Sequence, residues 1–280
     1  CHPEGPLAER LRAYGVPVYA LPITNWSIVN PLRLWRIRRM LVFIAPQVVV
    51  LNLSNDVKTV GLIARMLRAP RIIYRRGSAI PIRNSLFNRF MLKRIFTDVL
   101  ANSQATRLTI NQNNVHMFDE GRIRVVYNGL KLRELDDTEA TTLFDESRNS
   151  FVHIGNLGRL SAEKAQHYLL DFGERLKASG RPFKIIIGGE GEQRPFLEAQ
   201  AREKGLYPYL EMPGFIRNIP TFMQDIDIFV LTSLWEGFGY VMAEAMYFKK
   251  PVVAFNTSST PEIVVDGKTG LLANYGDADD

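Results

Sequence analysis

Cysteine is almost missing from this 280-residue chain: the one present, Cys1, cannot form a disulfide framework within it. Four scattered histidines and that single thiol give no zinc-type ligand spacing, so no metal is expected. No uninterrupted apolar run reaches the ~18 residues that a membrane-crossing helix requires. The opening Cys1-His2-Pro3 carries neither the charged nor the apolar segment of a secretory leader, and the expected compartment is a reducing cytoplasm. Acidic residues are scarce in one half only. Residues 1–130 hold 6 Asp and Glu against 19 Lys and Arg, a balance of +13, whereas residues 131–280 hold 23 against 16, a balance of −7. Such asymmetry points to different partners for the two halves, the basic one suiting an anionic lipid surface, a phosphorylated acceptor or nucleic acid. An arginine-rich solvated surface with no partner is the plain alternative. Nucleic acid is the weakest of these, because no known motif is present and the aromatics are not interleaved with the arginines as a stacking platform requires.

With 46% hydrophobic residues the chain can bury a sizeable core, and its length suits two domains at ~100–200 residues each. Strands are expected at residues 16–21, 48–53, 71–74, 98–101 and 123–127, alternating with helices near 7–14, 31–43, 57–67, 86–95 and 104–112. The helix at 31–43 is amphipathic, with Arg33, Arg36, Arg38 and Arg39 among apolar residues, a character that also suits a membrane surface. Asn128-Gly129 reads as a turn, and residues 136–149, rich in acids and threonine, as the linker. A second series follows: strands at 151–154, 183–187, 210–212, 226–231, 251–255 and 270–273, helices at 164–178, 193–204, 219–224 and 240–248. Strand–helix alternation means α/β architecture. The expectation is two doubly wound, Rossmann-like parallel-sheet domains, residues 1–148 and 149–280, facing a cleft at the carboxyl ends of their strands.

One stretch organises the second half. The apolar run Ile226-Asp227-Ile228-Phe229-Val230-Leu231 feeds the loop Ser233-Leu234-Trp235-Glu236-Gly237-Phe238-Gly239, which opens the helix beginning at Tyr240. A strand, a glycine loop and a helix start bring free backbone N–H groups and the positive end of a helix dipole to a sheet edge, where anions bind. Gly237 and Gly239 permit close approach of a ligand. Glu236 lies in the loop and Glu244 eight residues on, so the two acids cannot share a helical face and should meet different parts of one ligand, as carboxylates meet sugar hydroxyls. Other strand ends repeat the theme. Gly155-Asn156-Leu157-Gly158-Arg159-Leu160 with Lys164 offers two cations for a diphosphate, Gly188-Gly189-Glu190-Gly191 is a second glycine turn, and Gly214-Phe215-Ile216 offers an apolar rest for a base. Residues 257–262 form a further strand-end loop. Taken singly, a glycine after a strand is ordinarily a turn and a lone lysine a solvated one.

In this order and spacing the features resemble the retaining glycosyltransferases of family 4, which have the GT-B fold. The pattern E-x-F-G-x-x-x-x-E is present as Glu236-Gly237-Phe238-Gly239 with Glu244, and Ala101-Asn102-Ser103 and Val126-Tyr127-Asn128-Gly129 also look like this family. The resemblance implies that Arg159, Lys164 and Glu236 are catalytic, the cations holding the donor diphosphate and Glu236 the transferred sugar. It implies a donor site from Gly158, Gly189, Glu190, Gly191, Phe215, Ile216, Gly237, Phe238, Gly239 and Glu244, the last on the ribose. No cofactor or metal is implied; the donor is a UDP-, GDP- or ADP-sugar and the acceptor a saccharide or lipid-linked hydroxyl, in bacterial polysaccharide, lipopolysaccharide or glycolipid synthesis. Location is cytoplasmic, with peripheral contact between the basic half and an anionic membrane. Three departures stand out: Arg75-Arg76-Gly77-Ser78 where many members carry a histidine, Ala165 where glycine is usual, and Lys250 before Pro251. Both ends look cut, so the expectation is an internal fragment. A sugar-nucleotide epimerase of the same fold, a non-catalytic nucleotide-sugar sensor and a nucleic-acid binder are the alternatives.

Overall fold

The computed structural model describes residues 6–136 and 151–277. The chain divides into two compact units, one made of the described residues up to Gly77 with Pro81–Asn102 and Arg107–Val126, the other of Ser78–Ile80, Ser103–Thr106 and the described residues from Tyr127 onward. The expected linker at 136–149 lies, apart from Asp136, outside the described residues.

The first unit contains α1 (Pro6–Ala13), α2 (Pro31–Ile44), β1 (Val48–Leu51), α3 (Ser54–Met66), β2 (Arg71–Arg76), α4 (Leu86–Phe90), β3 (Asp98–Ala101) and β4 (Ile123–Val125), and, from Arg107 on, the greater part of α5 (Gln104–Asn111), which precedes β4. Its four strands are parallel in the order β1-β2-β3-β4. α2 starts where Asn30 caps the Arg33 N–H at 3.0 Å and Pro31 fits the first turn, and it ends at Ala45 in the left-handed region. Ile37 and Leu41 of α2 join Val49, Leu51, Ile72, Val99 and Ile95 in one core. The strand expected at 16–21 does not form. Pro17 and Pro22 remove backbone donors there, and no described strand pairs with the segment. Asn128-Gly129 is not a turn either, and a short helix, α6 (Leu132–Asp136), follows it instead.

The second unit holds β5 (Val152–Leu157), α7 (His167–Ala178), β6 (Phe183–Gly188), α8 (Arg194–Glu203), β7 (Leu210–Gly214), α9 (Ile219–Asp225), β8 (Ile228–Leu231), α10 (Tyr240–Tyr247), β9 (Val252–Phe255) and β10 (Leu271–Ala273). All six strands are parallel, in the order β10-β9-β8-β5-β6-β7. The chain therefore builds outward from β5 to β7, returns, and builds the other way from β8 to β10. The switch lies between β5 and β8, where loops leaving two neighbouring strands diverge and open a crevice at their carboxyl ends. Two apolar cores cover the two faces: Leu169, Leu170, Leu197 and Leu206 against Ile185 and Ile187, and Phe222, Met242 and Ala245 against Phe229, Leu231 and Val252.

β5 is longer than expected. Gly155-Asn156-Leu157 continues the strand, and Gly155 serves packing, since a Cβ there would lie 2.5 Å from Ile226 Cγ2. The helix expected from Lys164 is also shifted: Ala162–Lys164 forms a 3-10 turn, Ala165 takes φ 48°, and α7 begins at His167.

Candidate functional site

The two loops at the switch point are joined to each other. Thr232 Oγ1 donates to the Lys164 carbonyl at 2.9 Å, and the Leu234 N–H donates to the Glu163 carbonyl at 2.8 Å. These bonds align the residues that follow β5 with those that follow β8. As a result the Lys164 ammonium donates to Glu236 Oε1, forming an ion pair whose side chains are 22% and 11% exposed. The stem of that lysine passes Gly158 at van der Waals distance, 3.9 Å from where a Cβ would stand.

Glu236 is held at both its side chain and its backbone. The buried Ser233 hydroxyl donates to Oε1 at 2.8 Å. From the loop after β9, Ser258 Oγ and Ser259 Oγ donate to the Glu236 carbonyl at 2.7 and 3.1 Å, and Thr257 Oγ1 donates to the Leu234 carbonyl at 3.2 Å. Ser258 reaches this position with φ 53°, a left-handed conformation that a side chain resists. Three consecutive hydroxyl residues thus clasp the glutamate loop. Sequence reasoning placed residues 257–262 at a strand end but missed this role, and missed Ser233. The only hint was the run Thr257-Ser258-Ser259-Thr260, and no spacing rule connects it to a loop some twenty residues earlier.

The glycine turns fit the same edge. Gly189 has φ 139° and its Cβ would fall 1.8 Å from the Gly158 carbonyl oxygen, while a Cβ on Gly191 would fall 2.2 Å from that of Leu160. The loops after β5 and β6 therefore run backbone against backbone, tied by Gly158 N–H to Gly188 O at 3.0 Å and Leu160 N–H to Glu190 O at 3.0 Å. Gly239 caps α10 at φ 85°, turning the chain so that the helix starts at the sheet edge, and Gly237 is partly exposed beside Glu236.

The remaining residues singled out from the sequence are less tightly gathered. Arg159 is exposed at the end of β5 and is tied through its carbonyl, which accepts from Gln166 Nε2 at 2.9 Å. The nearby Glu163 carboxyl is held below its ordinary range, by its own backbone N–H foremost and more weakly by the charges of Arg159 and Lys164. Glu190 pairs with Arg194 at 3.0 Å, and that guanidinium also binds Glu198 and the Met212 carbonyl. Phe215 is 72% exposed, whereas Ile216 packs over Gly188. Phe238 is partly exposed and stacks edge-on to Tyr240 at 5.4 Å. Glu244 is half-buried on α10, and burial raises its carboxyl above the usual range. Among the described residues, no side chain is bonded to it. In the first unit, Arg75 and Arg76 end β2, level with Leu100 and Ala101 of β3. A separate cavity of about 390 Å³ lies beside Tyr168, Phe172, Val230, Val253 and Phe255, on the α7 side of the second sheet. It is not the crevice where Glu236 sits.

Chemically, this edge offers an ammonium, an exposed guanidinium, the first-turn N–H groups of a helix and two carboxylates in different environments. It can hold an anionic group against a hydroxylated one. Residues 143–280 match the model of a known family, glycosyl transferases group 1. Among curated relatives, an uncharacterized 41.2 kDa protein in the cps region of Klebsiella pneumoniae is 29% identical over 161 residues, 57% of this chain and 43% of that protein. The alpha-D-kanosaminyltransferase of Streptomyces kanamyceticus is 31% identical over 118 residues, 41% of this chain and 31% of that enzyme. The capsular polysaccharide biosynthesis glycosyltransferase CapM of Staphylococcus aureus is 25% identical over 188 residues, 65% and 49%. The matched stretch is thus less than half the length of each of these relatives. Among solved structures, Anabaena Alr3699/HepE in complex with UDP-glucose superposes with a TM-score of 0.77 at 23% identity, over 98% of this chain and 76% of that one. A glycosyltransferase from Rickettsia africae gives 0.82 at 18% identity, over 98% and 75%. The chain has the GT-B fold, and its residues 143–280, which contain the whole Lys164–Glu236 site, match the glycosyl transferases group 1 family.

Proposed function

We propose that this chain is the core of a retaining glycosyltransferase of family 4 that moves a sugar from a nucleotide donor to a saccharide or lipid-linked hydroxyl, in the synthesis of a bacterial polysaccharide, lipopolysaccharide or glycolipid. The observation that carries the reading is the contact between Lys164 and Glu236 at the switch point of the second sheet. An ammonium has three N–H groups, so Lys164 can bind Glu236 and a phosphate oxygen together, placing a diphosphate beside the acid that takes the sugar. Arg159, exposed on the same loop, supplies the second cation. As the bond from sugar to diphosphate breaks, negative charge grows on the leaving phosphate, and fixed cations lower the barrier because that charge is larger in the transition state than in the bound donor. The amides around Gly237 and Gly239 add their dipoles at the same place. A donor phosphate oxygen takes the acceptor proton on the face the nucleotide leaves, which retains configuration at the sugar. Glu244, half-buried on α10, binds the ribose hydroxyls.

On this reading no metal takes part, and the enzyme works in the cytoplasm with the basic first half against an anionic membrane. Anabaena HepE is bound to UDP-glucose, which makes UDP-sugars the first donors to try. The test is incubation of the protein with UDP-, GDP- and ADP-sugars and a panel of saccharide and lipid-linked acceptors, with and without EDTA, reading product and anomeric configuration by NMR. An α-linked product from an α-donor, made equally well in EDTA, is the expected result. An isomerised donor with no transfer would make the protein an epimerase, and an inverted product would overturn retention.

A further inference from the structure

The two carboxylate oxygens of Glu236 have unlike surroundings. Both donors that reach the side chain arrive at Oε1: the Ser233 hydroxyl at 2.8 Å and the Lys164 ammonium. Among the described residues none donates to Oε2, and that oxygen is not sealed from solvent. The two donors differ in what they fix. An ammonium on a flexible stem follows a carboxylate wherever it turns, so Lys164 alone does not decide which oxygen faces outward. Ser233 does, because it is 2% exposed, has one rotatable side-chain bond, and among the described residues bonds through its hydroxyl to Glu236 only. The peptide that follows is oriented by the same means. Ser258 Oγ and Ser259 Oγ both donate to the Glu236 carbonyl. A trans peptide holds its N–H antiparallel to its C=O, so the Gly237 N–H is turned away from the loop after β9, toward the side on which β5 neighbours β8. Among the described residues no group accepts from it.

One loop therefore turns an acceptor oxygen and a donor N–H toward the crevice, and four serine and threonine hydroxyls hold it from behind. We propose that Ser233 is a positioning residue for the donor sugar: it holds Glu236 by Oε1 so that Oε2 accepts from a sugar hydroxyl, while Ser258 and Ser259 turn the Gly237 N–H toward the adjoining phosphate oxygen. This deepens the glycosyltransferase reading and rests on it for the nature of the ligand. A selectivity follows from the chemistry. Oε2 only accepts, so a sugar lacking a hydroxyl at the carbon that meets it leaves a half-enclosed carboxylate oxygen unpaired and is rejected, whereas the free nucleotide makes no use of Ser233.

The experiment compares the wild-type chain with Ser233→Ala and with Ser258→Gly/Ser259→Ala, each shown to be folded by circular dichroism. Should the alanine variant not fold, Ser233→Cys takes its place, filling similar space with a far weaker donor. Calorimetry is done with UDP and UDP-glucose, and again with GDP, ADP and their glucose conjugates. Ser233→Ala should weaken the nucleotide-sugar by about tenfold and the free nucleotide by less than about twofold. Ser258→Gly/Ser259→Ala should weaken both alike, because it acts on the phosphate side. Equal losses for sugar-bearing and free nucleotide in Ser233→Ala, or no loss, would reduce Ser233 to a structural role and overturn the proposal. Crystal structures of the ligand-free proteins give a readout that needs no donor: in Ser233→Ala the Glu236 carboxylate should leave its outward orientation or divide between two. A carboxylate that stays in place overturns the proposal whatever binds. The outcomes separate from the catalytic reading, since a wild type that binds none of these nucleotides refutes that reading, while one that binds them with an unmoved Glu236 in Ser233→Ala refutes only this.

Discussion

Removing either partner of the Lys164–Glu236 pair should have unequal consequences, and the inequality follows from how each is held. Glu236 is the more enclosed, 11% exposed against 22%, and its loop is fixed by four hydroxyls, so its carboxylate has little freedom to turn to water. Lys164→Met therefore leaves an enclosed charge with only the Ser233 hydroxyl as partner. Hydrogen bonds to charged groups contribute about 1.5–3 kcal/mol, and an orphaned buried charge costs about 3–5 kcal/mol when fully enclosed. With one hydroxyl still in place and some solvent access, the expected loss is about 2–3 kcal/mol. Glu236→Gln leaves a lysine on a flexible stem that can swing into water, and should cost no more than about 1 kcal/mol. The double mutant should be no less stable than Lys164→Met alone, giving a coupling at least as large as the cost of Glu236→Gln. The assay is urea denaturation of all four proteins followed by circular dichroism, with midpoint and slope both read so that a change in slope flags separate unfolding of the two units. All variants with the lysine or the glutamate altered should also lose transfer activity. A neutral Lys164→Met, or stability losses that simply add, would show that the pair does not hold the site together.

Three further outcomes are expected. Ser258→Ala keeps the strained backbone and loses the bond to the Glu236 carbonyl, whereas Ser258→Gly loses the bond but relieves the strain, so the alanine variant should be less stable by about 1 kcal/mol in the same denaturation assay; equal values would mean φ 53° is not strained. Because burial raises the Glu244 carboxyl, the folded state binds that proton more tightly than the unfolded one, and the group's contribution is fully present below the unfolded value and is lost as pH rises through the folded one. Glu244→Gln should thus raise the thermal midpoint at pH ~7–8 with the gain fading below pH ~4, while nucleotide-sugar affinity by calorimetry falls; a gain independent of pH would refute the burial argument. Gly189→Ala would drive a Cβ to 1.8 Å from the Gly158 carbonyl oxygen at φ 139°, and should cost about 4 kcal/mol or more or prevent folding of the second unit, with soluble yield and circular dichroism as the readouts.

The sequence declared strand and helix wherever burial repeats with a clear period. The apolar runs Val48–Leu51 and Ile228–Leu231 read as strands and form them, the first with Val49 and Leu51 buried but Val48 and Val50 exposed, and Gly189 and Gly191 mark backbone crossings that no side chain could occupy. The pattern failed where local composition was ambiguous. Residues 16–21 look like a strand but contain Pro17 and stop at Pro22, and Gly155 looks like a turn but is a strand residue thinned for Ile226.

The chemistry of the site divides the same way. Glu236, Gly237, Gly239 and Glu244 were readable together because they lie on one loop and the helix it opens, where spacing along the chain translates directly into spacing in space. That Lys164 reaches Glu236 depends on which strands become neighbours, and β5 beside β8 is a matter of sheet order, settled by tertiary packing. The hydroxyl clasp from Thr257, Ser258 and Ser259 needs β9 beside β8 as well. Local hydrogen bonding and periodicity act over a few residues, so the sequence alone determines the elements and the motifs inside them. Contacts between loops of different strands exist only once the strands have paired, and for that reason the ion pair and the clasp that hold Glu236 belong to the tertiary structure.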